Sequence, residues 1–155
     1  METAVIKTPI GYAEFKGDEQ GLAAVKVLDT ATVTVIPTVL QEAANQVLAY
    51  FEGSRTTFDL KLNPQGTAFQ KKVWQALLKI PYGTTTSYLE LSKTLGDVKA
   101  IRAVAAANGK NPLWIVVPCH RVIGSNGELT GYAGGLSRKK WLLDHESPVK
   151  QGKLF

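Results

Sequence analysis

The hydrophobic period changes once along this chain, at Asn63-Pro64-Gln65-Gly66, and no other feature constrains the fold as much. Before that point, apolar residues come in short alternating runs at 3–7, 12–15, 22–28 and 32–36. Pro9-Ile10-Gly11 and Gly17-Asp18-Glu19-Gln20-Gly21 separate them. Strand side chains alternate between faces, so the pattern predicts a small antiparallel sheet. A helix capped by Thr38 should follow, with Val39, Leu40, Ala43, Ala44, Val47 and Leu48 on one face and an end near Gly53. Beyond residue 66 the spacing is helical. Phe69, Val73, Trp74, Leu77 and Leu78 form one stripe, stopped by Pro81-Tyr82-Gly83. A second helix is expected over 85–95, with Gly96 as a left-handed stop. Asp97 should cap a third over 99–108, ended by Gly109. Helix, short turn, helix is the outline of a DNA-binding helix-turn-helix. The third helix, rich in alanine around Arg102, would bring its backbone close to DNA. Ser137 is expected to cap the last helix, with Leu136 and Trp141 as a hydrophobic staple.

A chain of 155 residues with 45% hydrophobic and 20% charged residues suits one sizeable domain or two small ones. It has no apolar run of membrane-spanning length and no signal peptide, so a cytoplasmic protein is expected. Its single cysteine excludes an internal disulfide. One Cys and two His are too few for a structural zinc tetrad, and no metal is expected. Nor do the glycines around 131–135 form a phosphate-binding motif. Charge is uneven. Residues 1–67 hold 5 Lys/Arg against 8 Asp/Glu, a net of −3, whereas residues 68–155 hold 13 against 5, a net of +8. The basic part favours a polyanion, nucleic acid ahead of membrane.

Cys119 lies in that basic part, within Ile115-Val116-Val117-Pro118-Cys119-His120-Arg121-Val122-Ile123. Residues 115–117 read as a buried strand that Pro118 ends, delivering a thiol, an imidazole and a guanidinium at its edge. A nucleophilic thiol needs a base or a cationic neighbour, and His120 and Arg121 are at hand. Adjacent side chains of an extended segment point apart, so a bridging water would ease transfer between Cys119 and His120. The imidazole needs an orienting acid, for which Glu146, Asp144 and Glu128 are all candidates.

Pro118-Cys119-His120-Arg121-Val122 resembles the active-site signature of the O6-alkylguanine-DNA alkyltransferases. The likeness extends, in order, through Phe69, Val73-Trp74, Thr86-Ser87-Tyr88, Arg102-Ala103-Val104, Asn111-Pro112, Tyr132-Ala133-Gly134-Gly135 and Trp141-Leu142-Leu143-Asp144-His145-Glu146. It implies an α/β protein: an N-terminal ribonuclease-H-like sheet domain over 1–66, a mostly helical winged helix-turn-helix-like domain over 67–150 that binds DNA and carries the catalysis, and a tail over 151–155. By the resemblance, Cys119 accepts the alkyl group, His120 is the base acting through water, Glu146 orients it, and Tyr88 donates to the departing guanine. Arg102, Ala103, Ala106, Asn111 and Arg121 would face DNA, Arg102 filling the gap in the stack and Asn111 shaping the turn before the active site. Trp114, Val122, Tyr132, Ala133 and Gly134 would line the base pocket. Trp114 is bulky there and should disfavour large groups such as benzyl. Alanine stands at 133, where the family often has serine.

The implied function is direct-reversal DNA repair: one irreversible transfer per molecule from O6-alkylguanine, with O4-alkylthymine a further candidate. It would need no cofactor and act as a monomer on double-stranded DNA. The rival readings are a non-catalytic lesion-binding protein, a Cys/His/acid hydrolase and a helix-turn-helix regulator. The number of alkyl groups removed per chain separates the first two from repair: none and many against one.

Overall fold

A computed structural model describes residues 1–127, 129, 132 and 134–148. The chain forms two compact units, one of residues 1–65 with Pro112–Val116, the other of residues 66–111 and 117 onward. The division expected at residue 66 is therefore crossed once, by a short return of the chain into the first unit.

In the first unit, β1 (Glu2–Thr8), β2 (Gly11–Asp18) and β3 (Gly21–Leu28) form an antiparallel sheet in the order β1-β2-β3. Two-residue turns join them, and at the second a Cβ on Gly21 (φ 133°) would lie 2.9 Å from the Lys61 carbonyl oxygen. Helix α1 (Thr38–Glu52) buries Leu40, Ala43, Ala44, Val47, Tyr50 and Phe51, and packs on β1 and β2. Gly53 (φ 84°) ends it as expected, but Pro37 is the N-cap and Thr38 makes no capping bond.

The strand expected over 32–36 does not form. Thr34 alone reaches β1: its N–H donates to the Val5 carbonyl, and its Oγ1 accepts from the Val5 N–H. The alternation of β-branched residues there has no core to face, since Val33 and Val35 are 55% and 90% exposed. The outer edge of β3 is closed instead by Leu62 and by Leu113, each in a parallel bridge. Trp114 donates its N–H to the Val25 carbonyl, and its buried ring lies 6.1 Å from that of Phe51.

The second unit starts with α2 (Ala68–Leu77). Thr67 and Gln70 close a reciprocal capping box there, which satisfies two end N–H groups at once. Phe69 and Leu78 sit at the exposed margin of the apolar stripe, while Val73, Trp74 and Leu77 are buried. The helix expected over 85–95 gives up its first turn. Thr86–Ser87 form β4, parallel to β5 (Val122–Ile123), and α3 (Tyr88–Thr94) starts after Ser87, whose side chain caps it. Gly96 takes φ 89°, and Asp97 caps a 3-10 turn, Val98–Ala100, that leads into α4 (Ile101–Gly109). Trp74 Nε1 donates to the Ala107 carbonyl at 2.9 Å and ties α4 to α2.

The final helix, α5 (Leu136–Glu146), has Gly135 at its N-cap with φ 91°, so Ser137 is displaced into the first turn. Leu136 is 49% exposed and is the first residue of the helix, not the one before its cap, which is the position a staple requires. No helix among the described residues is long and apolar enough to cross a membrane.

Candidate active site and nucleic-acid interface

The segment before the cysteine is not a strand. Residues 114–117 turn, because Ile115 adopts φ 72° and the Val116 N–H bonds back to the Trp114 carbonyl at 2.8 Å. Positive φ is strained for a β-branched residue, and a bond from residue i to i+2 marks a γ-turn. A second γ-turn follows at Pro118 (φ −81°, ψ 62°), where the Cys119 N–H reaches the Val117 carbonyl at 2.8 Å. Bends replace the expected ladder, and Cys119–Arg121 form one 3-10 turn that runs directly into β5.

That turn separates the three side chains by about 120° each. Cys119 is 7% exposed, His120 is fully buried and Arg121 is 6% exposed. Nε2 of His120 lies 2.7 Å from Oε2 of Glu146. A carboxylate only accepts, so Nε2 carries the proton and Nδ1 presents a lone pair. Nδ1 is buried and has no partner among the described residues. Glu146 is thus the acid that meets the imidazole. Asp144 pairs with Lys140 in solvent at 2.8 Å, and Glu128 lies outside the described residues.

Arg121 is turned inwards, contrary to its expected place facing DNA. Its Nε and Nη2 donate to Oε1 and Oε2 of Glu146 at 2.7 and 3.0 Å, and its Nη1 donates to the Ile80 carbonyl at 2.6 Å. The Tyr82 ring covers the guanidinium at 5.7 Å. Three directed donors of this kind match the planar fork of arginine and would not suit lysine.

Sequence reasoning missed Lys139. Its side chain is fully buried, donates to the Val122 carbonyl at 2.7 Å and lies 6.0 Å from the Tyr132 ring centre. The signal was available, because Lys139, Leu142 and Glu146 fall at i, i+3 and i+7 on the buried face of α5. Asn108 was missed too: it is 1% exposed on α4, and its Nδ2 reaches the Cys119 carbonyl at 3.5 Å. Asn111 donates to the Val117 carbonyl at 2.9 Å, holding the turn before the cysteine.

Burial dominates the electrostatics. It pushes the Cys119 thiol up, against hydrogen bonding from Asn111 and the positive charge of Lys139. It also pulls His120 down, against its bond to Glu146. At neutral pH the resting pair is therefore thiol and neutral imidazole, not thiolate and imidazolium.

Tyr88 is the first residue of α3, directly after β4. The ladder pairs Thr86 with Val122 and Ser87 with Ile123, which ties the start of α3 to the nucleophile turn. On α4, Val104, Ala107 and Asn108 are buried while Arg102, Ala103 and Ala106 are exposed along one side. Val122 and Gly134 are buried and Tyr132 half-buried, whereas Ala133 lies outside the described residues. Trp114 belongs to the first unit.

Two family models match the chain. Residues 68–148 fit the 6-O-methylguanine DNA methyltransferase DNA-binding domain, and residues 1–64 fit its ribonuclease-like domain. The chain belongs to the 6-O-methylguanine DNA methyltransferase family. A methylated-DNA–protein-cysteine methyltransferase of Methanosarcina acetivorans is 48% identical over 153 residues, covering 94% of this chain and 98% of its own. The protein of that name from Mycobacterium tuberculosis is 46% identical over 147 residues, with 91% and 89% covered. The crystal structure of Mycobacterium tuberculosis OGT in complex with DNA superposes with a TM-score of 0.87 at 45% identity, covering 94% of this chain and 92% of that one. As in the family's domain pair, an antiparallel sheet with its helix precedes a helical DNA-binding domain, and Cys119 is the single cysteine available to such a methyltransferase.

Proposed function

We propose that this protein repairs O6-alkylguanine in double-stranded DNA by moving the alkyl group irreversibly to Cys119, once per molecule. The observation that carries this reading is the buried Glu146–His120 pair, which leaves Nδ1 of the residue next to the only thiol ready to accept a proton.

A lesion inside the stack is out of reach, so the base must leave it, at a cost of about a few kcal/mol. The exposed side of α4 is suited to that task. Ala103 and Ala106 let the backbone approach the groove, and Arg102 occupies the vacated place in the stack. Asn111 shapes the turn that presents the nucleophile. Val122, Tyr132 and Gly134 line the pocket for the extruded base.

In the reaction, the Cys119 proton passes through a water to Nδ1 of His120, and the sulfur attacks the alkyl carbon. The S–C bond forms, the C–O6 bond breaks, and the electron pair leaves with guanine. Tyr88 donates a hydrogen bond to the purine as negative charge builds on it, and the proton held by His120 returns to neutralise the product. A thioether is not a substrate for thiol exchange, so the protein is spent. The protein acts as a monomer in the cytoplasm on chromosomal DNA, without a cofactor.

The test is the intact mass after mixing with a slight excess of duplex DNA holding one O6-methylguanine. A gain of one methylene, saturating at one per chain and absent in Cys119→Ala, is expected. Tight lesion binding with no gain would leave a damage-sensing protein instead.

A further inference from the structure

Glu146 meets both His120 and Arg121, and Arg121 grips it at more points. Arg121 meets both of its oxygens, at 2.7 and 3.0 Å, and is itself fixed by the Ile80 carbonyl and by the Tyr82 ring. His120 shares only Oε2. All three groups are buried, the Glu146 side chain being 1% exposed. With a neutral imidazole, this cluster carries one negative and one positive charge and is balanced.

We propose that Arg121 is a positioning residue that keeps His120 unprotonated, by neutralising Glu146 through both carboxylate oxygens while leaving the carboxylate to orient the ring. The inference rests on His120 serving as the base in the proposed repair reaction.

The argument is one of charge balance in a dry site. Adding a proton to the balanced cluster creates a buried net positive charge, which is costly. Without Arg121 the cluster would carry a net negative charge, and a proton on His120 or Glu146 would relieve it. The guanidinium therefore separates two effects that a lone carboxylate combines, namely fixing the tautomer and raising ring basicity. The other ionisable groups around the ring are few. Lys139 on α5 lowers its proton affinity as Arg121 does, and Glu146 alone raises it. The Cys119 thiol is adjacent on the same turn, and Tyr82 faces the outer side of the ion pair.

The proton midpoint of His120 is to be followed by ring NMR in the full-length protein, beside the pH profile of single-turnover methyl transfer from duplex DNA. Wild-type His120 is expected to titrate below the ordinary histidine value of about 6.5. In Arg121→Met the midpoint should rise by about one unit or more, and the acid limb of the rate should move with it. A wild-type midpoint at or above the ordinary value, or a folded Arg121→Met whose rate falls without any shift, overturns the proposal. Should Arg121→Met fail to fold, Arg121→Gln decides, because its carboxamide can still donate to the carboxylate but carries no charge. A rise of the same sign supports the proposal, and no rise overturns it. Failure of the repair reading would be seen separately, as wild-type protein gaining no methylene from lesion DNA.

Discussion

Nε2 of His120 and Oε2 of Glu146 lie 2.7 Å apart with both side chains closed to solvent, while Nδ1 of the same ring has no partner among the described residues. One bond thus fixes ring orientation, tautomer and the nitrogen left to take a proton.

Glu146→Gln tests that bond. A carboxamide can donate as well as accept, so Nε2 can lose its proton and Nδ1 gain it, which blocks the base. Single-turnover transfer should slow by about 10²–10⁴-fold with lesion binding retained. Thermal unfolding should reveal a loss of about 3–5 kcal/mol, because Arg121 stays buried without its anion.

Lys139→Met keeps the volume of the side chain and removes its charge and its bond to the Val122 carbonyl. The Cys119 thiol should be pushed further up. Its alkylation by iodoacetamide at pH 7 should slow, with the half-maximal rate moved to higher pH. The orphaned carbonyl should cost about 1–3 kcal/mol in a denaturant titration.

Stability should peak near neutral pH. The folded His120 binds its proton less readily than in the unfolded chain, so as pH falls below about 6.5 the unfolded state gains protons first and stability is lost. Cys119 is raised, so above about pH 8.5 the unfolded thiol ionises first and stability is lost again. Lys139 is depressed and gives the opposite slope at alkaline pH, so the thiol contribution is read as the difference from Cys119→Ala. Urea midpoints from pH 5 to pH 9.5 measure both limbs, and the alanine variant should flatten only the alkaline one.

Arg102→Ala removes an exposed side chain, so stability should change by no more than about 0.5 kcal/mol. Transfer from duplex DNA should fall, while reaction with the free base O6-benzylguanine, which need not leave a stack, should be unchanged. Equal losses on both substrates would contradict a role in base extrusion.

The elements visible in sequence were those whose signals are local. Gly53 and Gly96 stop their helices with positive φ, and Asp97 caps the turn into α4, because each needs only its own backbone. The stretch 32–36 misleads because strand propensity without a buried face does not make a ladder. Residues 115–117 mislead for the opposite reason: they are buried, as a strand would be, yet the γ-turn at Ile115 breaks the run. At the site, Cys119 and His120 stand out in the sequence, whereas composition and spacing do not choose Glu146 over Asp144; the family resemblance points to Glu146, and the fold brings its carboxylate to the ring. Arg121 reads as a surface cation because such residues usually are; its burial depends on Ile80, Tyr82 and Glu146, all distant in sequence.

The return of Pro112–Val116 to the edge of β3 has a consequence for synthesis on the ribosome. Residues 1–65 emerge first, yet the N–H and carbonyl of Val25 find partners only when Pro112 and Trp114 have been made. Until then β3 offers an open edge to any neighbouring strand. By the time Pro112 and Trp114 emerge, α2, α3 and α4 have already left the tunnel, so the first unit is completed only after much of the second has been exposed. The link at 63–66 marks a change of pattern, not a place where the chain can be cut to give two self-sufficient halves.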